Sequence, residues 1–270
     1  MTGISIGPFA FDGHRLAAVG ALLLFVLVVG LVARLQRRGQ PGEAGNWATW
    51  AVLAWVLGAR VGFVIANWPQ FAENPLDIVK LWQGGFMASA GWAAGIALFL
   101  LALLRDATGV LKPLALGAVA ALIAQRVFTG MMPLPDVTLP QEELVALNGG
   151  GMQLAGRGKP MVLNLWATWC PPCRREMPMM TDLAATMPDI DFVFANQGES
   201  NGRIVGFLTR EGLPMAGMVR DPQSRLMARL GARGLPTTLV FDADGRLVAG
   251  QMGEVSRAAL TRMIAQAKGE

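Results

Sequence analysis

Apolar residues are distributed along this chain in two ways. Through about residue 132 they form long, almost uncharged runs, whereas the clearest apolar segment beyond it, Met161–Trp166, is short. Between Arg15 and Arg34 lie eighteen uncharged residues, Leu16–Ala33, just long enough to cross a bilayer as a helix. Asn46–Ala66 is a second run, interrupted by Arg60. Leu81–Leu104 carries no charge, and its core from about Gly85 reads as a third; Pro113–Met132, with Arg126 inside, reads as a fourth. A cleaved signal peptide would account for the first run only. The pattern predicts a membrane domain of about four helices over residues 1–132, joined through Met131–Pro140 to a second domain over residues 133–270. In that second domain the run Gly149-Gly150-Gly151 lacks a phosphate-loop context and reads as a hairpin turn.

Charge gives the membrane domain an orientation. Arg34, Arg37 and Arg38 follow the first run, and Arg105 and Lys112 separate the third from the fourth. Between the second and third stand Glu73, Asp77 and Lys80. Arginine-rich short loops stay cytoplasmic, so both termini are expected outside. The predicted location is a bacterial inner membrane, crossed several times, with the second domain in the oxidising periplasm. Trp47, Trp50, Trp68 and Trp82 fall near the predicted span ends, as interfacial anchors do, and His14 reads as another interfacial side chain. The net charge of +4 divides unevenly: nine Lys/Arg against five Asp/Glu before Pro133, fourteen of each after it. The second domain is therefore neutral, and the basic excess serves membrane topology, with no nucleic-acid surface implied.

Candidate chemistry sits in Trp166-Ala-Thr-Trp169-Cys170-Pro-Pro-Cys173, which contains the only two cysteines of the chain. They follow an apolar strand and open a helix, where backbone N–H groups and the helix dipole favour a thiolate. Cys170 is accordingly the expected attacking sulfur and Cys173 the resolving one. Pro171 and Pro172 suit a first helical turn, but they remove two donors and argue against a very acidic thiol. A structural zinc site would need ligands this chain lacks, and so short a loop makes a weak purely structural disulfide. Met177, Met179 and Met180 offer a rival reading as a Cu(I) site with the two cysteines; their alternative is core filling on an amphipathic helix.

From about Leu134 to the C-terminus the chain resembles the TlpA/ResA branch of thioredoxin-like proteins. The resemblance runs through Gly158-Lys-Pro160, Met161–Trp166 with Asn164, the cysteine pair, Glu176-Met-Pro178, Gly234-Leu-Pro-Thr-Thr238, the strand Leu239–Asp242 and the turn Ala243–Arg246. It implies an α/β thioredoxin-like fold and a thiol-disulfide oxidoreductase whose only redox group is the Cys170–Cys173 disulfide, with no cofactor and no metal. It further implies that Pro236 is a cis-proline beside the cysteines and that Leu235 presents backbone to a substrate chain. Trp169 and Thr237 complete the implied substrate-binding set. Glu176 matches an acid that tunes the thiols or moves protons, its alternative being a dipole-favoured helix acid. Because Asn164 stands where ordinary thioredoxins have aspartate, Glu176 becomes the expected proton acceptor for Cys173. Implied partners are periplasmic disulfide-containing proteins and a membrane thiol donor, since the membrane half has no cysteine to relay electrons.

The membrane half resembles the amino-terminal part of prolipoprotein diacylglyceryl transferase through Ser5-Ile-Gly-Pro8, Gly58-Ala-Arg60-Val-Gly62, Asn74-Pro-Leu76 and Leu81-Trp-Gln-Gly-Gly85. The family's His-Gly-Gly is replaced by Met87-Ala-Ser89-Ala-Gly91, and the chain has no tyrosine, so the expectation is an anchor without transferase activity. Arg60 and Arg126 at membrane depth carry two readings, a lipid-headgroup contact or an arginine packed or snorkelling within the fold; membrane lipids are an expected partner. Two further functions stay open at this point: a copper-delivery module, and a lipid-modifying protein with an accessory thioredoxin domain.

Overall fold

The computed structural model describes residues 3–6, 9–36, 41–131 and 136–270, with side chains from residue 16 onward except Pro41 and Glu73. Gly7, Pro8, Arg37, Arg38, Gln40 and part of the Met131–Pro140 connection fall outside the described residues. Contacts divide the chain into two units. One comprises Met1–Gly13, Lys80–Gly84 and Leu134–Glu270, the other His14–Val79 and Gly85–Pro133.

The chain opens with a two-stranded antiparallel hairpin, β1 (Gly3–Ile6) and β2 (Phe9–Asp12). The apolar unit then follows as α1 (Gly13–Leu35), α2 (Pro41–Ala66), the short α3 (Trp68–Glu73), α4 (Ala88–Leu104) and α5 (Thr108–Gly130). Three of these, α1, α2 and α5, are long and apolar enough to cross a membrane. The third expected span is shorter than its sequence suggested. Leu81–Gln83 is a single 3-10 turn, and Gly84 and Gly85 adopt φ of 79° and 85°. That left-handed pair interrupts the helix, so α4 starts only at Ala88 and is 17 residues long, at the lower end of what a bilayer needs. Conversely, α5 begins before Pro113, which sits inside it.

Small residues let α2 and α4 approach closely. A Cβ on Gly91 would lie 2.9 Å from the Trp55 carbonyl oxygen, and one on Gly58 would lie 2.5 Å from the Ala94 Cβ, the kind of contact that replaces hydrophobic driving force within a membrane. Arg60 is enclosed rather than aimed at lipid. Its Nε donates to Ile78 O (2.9 Å), Nη1 to Gly85 O (2.9 Å) and Nη2 to Asp77 O (2.5 Å). The rings of Phe71 and Phe86 lie 5.4 and 5.8 Å from its guanidinium carbon. Charge is thus distributed over backbone carbonyls and aromatic faces, which favours the packed reading for Arg60. Arg126 is exposed and, with Gln125, lines an otherwise mostly apolar cavity of about 530 Å³ between α1, α2, α4 and α5.

The second unit is built on a seven-stranded sheet. Its elements are β3 (Glu143–Ala146), β4 (Gly151–Gln153), β5 (Met161–Trp166), α6 (Pro171–Thr186), β6 (Asp191–Gln197), α7 (Asn201–Glu211), β7 (Met218–Asp221), α8 (Arg225–Arg229), β8 (Thr237–Phe241), β9 (Leu247–Met252) and α9 (Arg257–Lys268). The strand order is β4-β3-β7-β6-β5-β8-β9. β5, β6 and β7 are parallel, and β8 runs antiparallel to β5. Gly149 and Gly150, both at φ 89°, form the turn between β3 and β4 that the glycine run predicts.

Both sheet faces are covered, which explains why every residue of β5 is buried and why its sequence reads as continuously apolar. Val162 and Trp166 pack on one face with Met177, Met180, Phe194, Ile204 and Leu260. Met161, Leu163 and Leu165 pack on the other with Val219, Leu226, Leu239 and Phe241. By the alternation of a strand, Asn164 falls on the first face, the one under α6.

Candidate active site

Chain topology gathers the site at one end of the sheet. β5 and β6 are parallel neighbours, so the loops after Trp166 and Gln197 emerge side by side. β8 is antiparallel to β5, with Thr237 opposite Leu165, so the residues entering β8 arrive at the same end. The segment Ala167–Trp169 then leads into α6, with Cys170 as its N-cap.

Pro171 and Pro172 occupy the first two helical positions and contribute no N–H. The first N–H the helix offers belongs to Cys173, and it is spent on Cys170 Sγ at 3.3 Å. One directed donor and the dipole therefore act on that sulfur. The cysteines are joined as a disulfide with Cα atoms 5.3 Å apart. Cys173 is fully buried and Cys170 is 3% exposed, while Trp169 beside them is 62% exposed.

Glu176 lies three residues after Cys173, on the same face of α6, and is buried. Its Oε1 accepts from Asn164 Nδ2 at 2.9 Å, and its Oε2 accepts from the Val255 N–H at 3.1 Å. Asn164 Nδ2 also reaches Thr238 Oγ1 at 3.1 Å. Desolvation outweighs these two hydrogen bonds and pushes the carboxyl up to about 8. At neutral pH, beside a closed disulfide, Glu176 is therefore mostly protonated.

The Leu235–Pro236 peptide bond is cis, as the resemblance implies. Pro236 is buried and Leu235 half-buried against the core, directly before β8. Thr237, expected to touch substrate, is instead fully buried, its hydroxyl donating to Gly234 O at 2.7 Å. Its side chain braces the turn that carries Leu235. Met177 and Met180, offered as copper ligands, are fully buried in the core under α6, the packing role that their helical spacing also allowed.

One participant escaped the sequence reading. Glu199, between β6 and α7, is buried and bonded to the segment preceding Cys170: its Oε2 accepts from Thr168 N at 2.7 Å and its Oε1 from Thr168 Oγ1 at 2.5 Å. In the sequence it is an ordinary acid among turn residues, and nothing local marks it.

A helix-capping cysteine pair with a neighbouring cis-proline and a buried acid, on a mixed sheet covered on both faces, defines a thioredoxin-like redox domain. Comparisons with known proteins agree. Residues 131–266 match the Redoxin family, and residues 2–130 match the prolipoprotein diacylglyceryl transferase family. The chain is 30% identical over 173 residues to the thiol:disulfide interchange protein DsbE homolog of Paracoccus denitrificans, covering 64% of this chain and 81% of that protein. It is 35% identical over 113 residues to the thiol-disulfide oxidoreductase ResA of Geobacillus thermodenitrificans, covering 41% of this chain and 64% of that one. Among solved structures, a thiol:disulfide interchange protein of the thioredoxin family from Chlorobium tepidum is 25% identical, with a TM-score of 0.43, covering 50% of this chain and 99% of that one. The chain belongs to the redoxin family and is a thiol-disulfide oxidoreductase of the DsbE and ResA type.

Proposed function

We propose that the protein is a membrane-anchored periplasmic disulfide reductase, with residues 1–132 as a multi-pass inner-membrane anchor and residues 133–270 as the redox domain. The observation that carries this reading is the pairing of a surface-adjacent, helix-capping Cys170 with a fully buried Cys173. In the reduced protein the Cys170 thiolate attacks a substrate disulfide, forming a mixed disulfide and releasing one substrate thiolate. Cys173 then passes its proton to the Glu176 carboxylate and attacks the Cys170 sulfur. The protein disulfide closes, the second substrate thiolate leaves, and the substrate has gained two electrons. When a donor dithiol reopens the disulfide, protonated Glu176 returns the proton to the departing Cys173 sulfur. Leu235 offers its backbone to the substrate chain beside exposed Trp169, and Pro236 fixes that turn.

Substrates are periplasmic proteins with accessible disulfides, and the electron donor is a separate membrane thiol protein. Membrane lipids surround the anchor and supply the natural filling for its apolar cavity. The decisive test is trapping in cells. A Cys173→Ser variant keeps the attacking sulfur but cannot resolve, so it should accumulate mixed disulfides, whereas Cys170→Ser should form none. Absence of adducts with Cys173→Ser would overturn the assignment of roles.

A further inference from the structure

The Ala167–Trp169 segment belongs to neither strand nor helix, so no ladder holds the backbone that presents Cys170. A buried carboxylate takes that place. Three hydrogen-bond donors converge on Glu199, Thr168 N–H on Oε2 at 2.7 Å, Thr168 O–H on Oε1 at 2.5 Å and Asn196 Nδ2 on Oε2 at 2.8 Å, and the Arg203 guanidinium pairs with Oε1 as an ion pair at 3.2 Å. A carboxylate is acceptor-only and matches three donors and a cation, whereas an amide would turn an N–H toward one of them. Burying a negative charge costs free energy unless it is fully bonded, and exchange between two cysteines does not require this one. Asn196, next to the last residue of β6, pairs with Trp166, the last residue of β5, so the acid ties the β6–α7 junction to the turn beside it.

We propose that Glu199 is a positioning residue for disulfide exchange, latching Thr168 at both its amide and its hydroxyl so that Cys170 and Trp169 keep a fixed orientation toward the incoming disulfide. This inference rests on the reading of Cys170 as the attacking sulfur. In-line attack of one sulfur on another is sensitive to orientation, and a displacement of about 1 Å can cost on the order of a hundredfold in rate. The latch therefore acts on the rate at saturation more than on substrate affinity.

The test follows a single turnover of the full chain, reduced and held in detergent, oxidised by a peptide disulfide and monitored through tryptophan fluorescence. Glu199→Gln should lower the saturating rate roughly tenfold or more while the half-saturating concentration changes less than about threefold. Thr168→Val, which loses only the hydroxyl arm, should show a smaller loss of the same kind. The double variant should be no slower than Glu199→Gln, because both substitutions break one latch. Glu199→Asp, keeping the charge, should recover part of the rate. Melting temperatures measured alongside separate loosening of the fold from misplacement of the sulfur. If Glu199→Gln does not fold, Thr168→Val decides. Saturating rates within twofold of wild type in folded variants, or losses that multiply in the double variant, would overturn the proposal. Cys170→Ser serves as the control for the underlying reading: activity surviving in it defeats the proposed function itself, whereas its loss beside normal Glu199 and Thr168 variants defeats only the latch.

Discussion

Replacing Glu176 with glutamine should change how stability depends on pH. The carboxyl ordinarily titrates near 4.5 and is raised to about 8 in the fold by burial. Between those values the native state keeps a proton that the unfolded chain has lost, so stability contributed below the unfolded pKa drains away as pH rises through the folded one. A tenfold difference in proton affinity corresponds to about 1.4 kcal/mol, which makes the loss between pH 5 and pH 8 about 3 kcal/mol, as an order of magnitude. Glutamine fills the same volume and does not titrate. Its oxygen can accept from the Val255 N–H, and its amide can donate to Asn164 Oδ1, a buried atom with no hydrogen-bond partner among the described residues. Urea unfolding of the oxidised fragment 136–270 at pH 5, 6, 7 and 8, for wild type and Glu176→Gln, measures this directly. The wild-type curve should fall relative to the variant by about the figure above, since all other titrations cancel in the difference. Parallel curves would falsify the argument that desolvation dominates at this carboxyl. The variant should also exchange disulfides more slowly at pH 7, by roughly a hundredfold if Glu176 carries the Cys173 proton.

The same fragment should catalyse dithiol-disulfide exchange without the membrane half, measured with a model disulfide peptide, because both cysteines, Glu176 and Pro236 lie within it. Alkaline phosphatase fused after Glu270 should be active and a fusion near Gln40 inactive; the reverse pattern would place the cysteines in a reducing cytoplasm. Expression in cells depleted of their own diacylglyceryl transferase should not restore lipoprotein modification, since Ser89 and its neighbours replace the histidine that the motif would supply for proton transfer. Arg60→Leu should leave three backbone carbonyls without their donor and lower the detergent melting temperature, at a cost of a few kcal/mol.

What could be read from the sequence was whatever depends on neighbours along the chain. The continuous apolar run of β5, the prolines after Cys170 and the glycine turn before β4 each follow from a local rule, and each stands in the structure. The cis-proline and Glu176 came through resemblance, because their meaning depends on a strand and a helix packed far from them in sequence. Glu176 was legible as an acid but not as a protonated one, since its raised pKa comes from burial under the sheet. Thr237 shows the same limit: the resemblance placed it in the substrate-binding set, whereas its burial and its hydroxyl bond to Gly234 O come from packing that the sequence does not display. Glu199 was invisible because partners from three separate segments, Thr168, Asn196 and Arg203, define it. In the apolar half, hydropathy located the helices but set the start of α4 too early, because two glycines with positive φ read as apolar residues and act as a break.

One cysteine sulfur lies next to the surface and the other is sealed beneath it, and these are the only two cysteines in the chain. Whatever supplies electrons must therefore approach by the same route as whatever receives them. The two visitors cannot be present together, so every cycle consists of two complete encounters separated by a departure. Initial rates measured at several donor concentrations should then give parallel double-reciprocal lines, the signature of a ping-pong sequence. A donor kept in excess would begin to compete with the substrate for the single doorway, so that beyond some concentration more reductant would mean slower turnover.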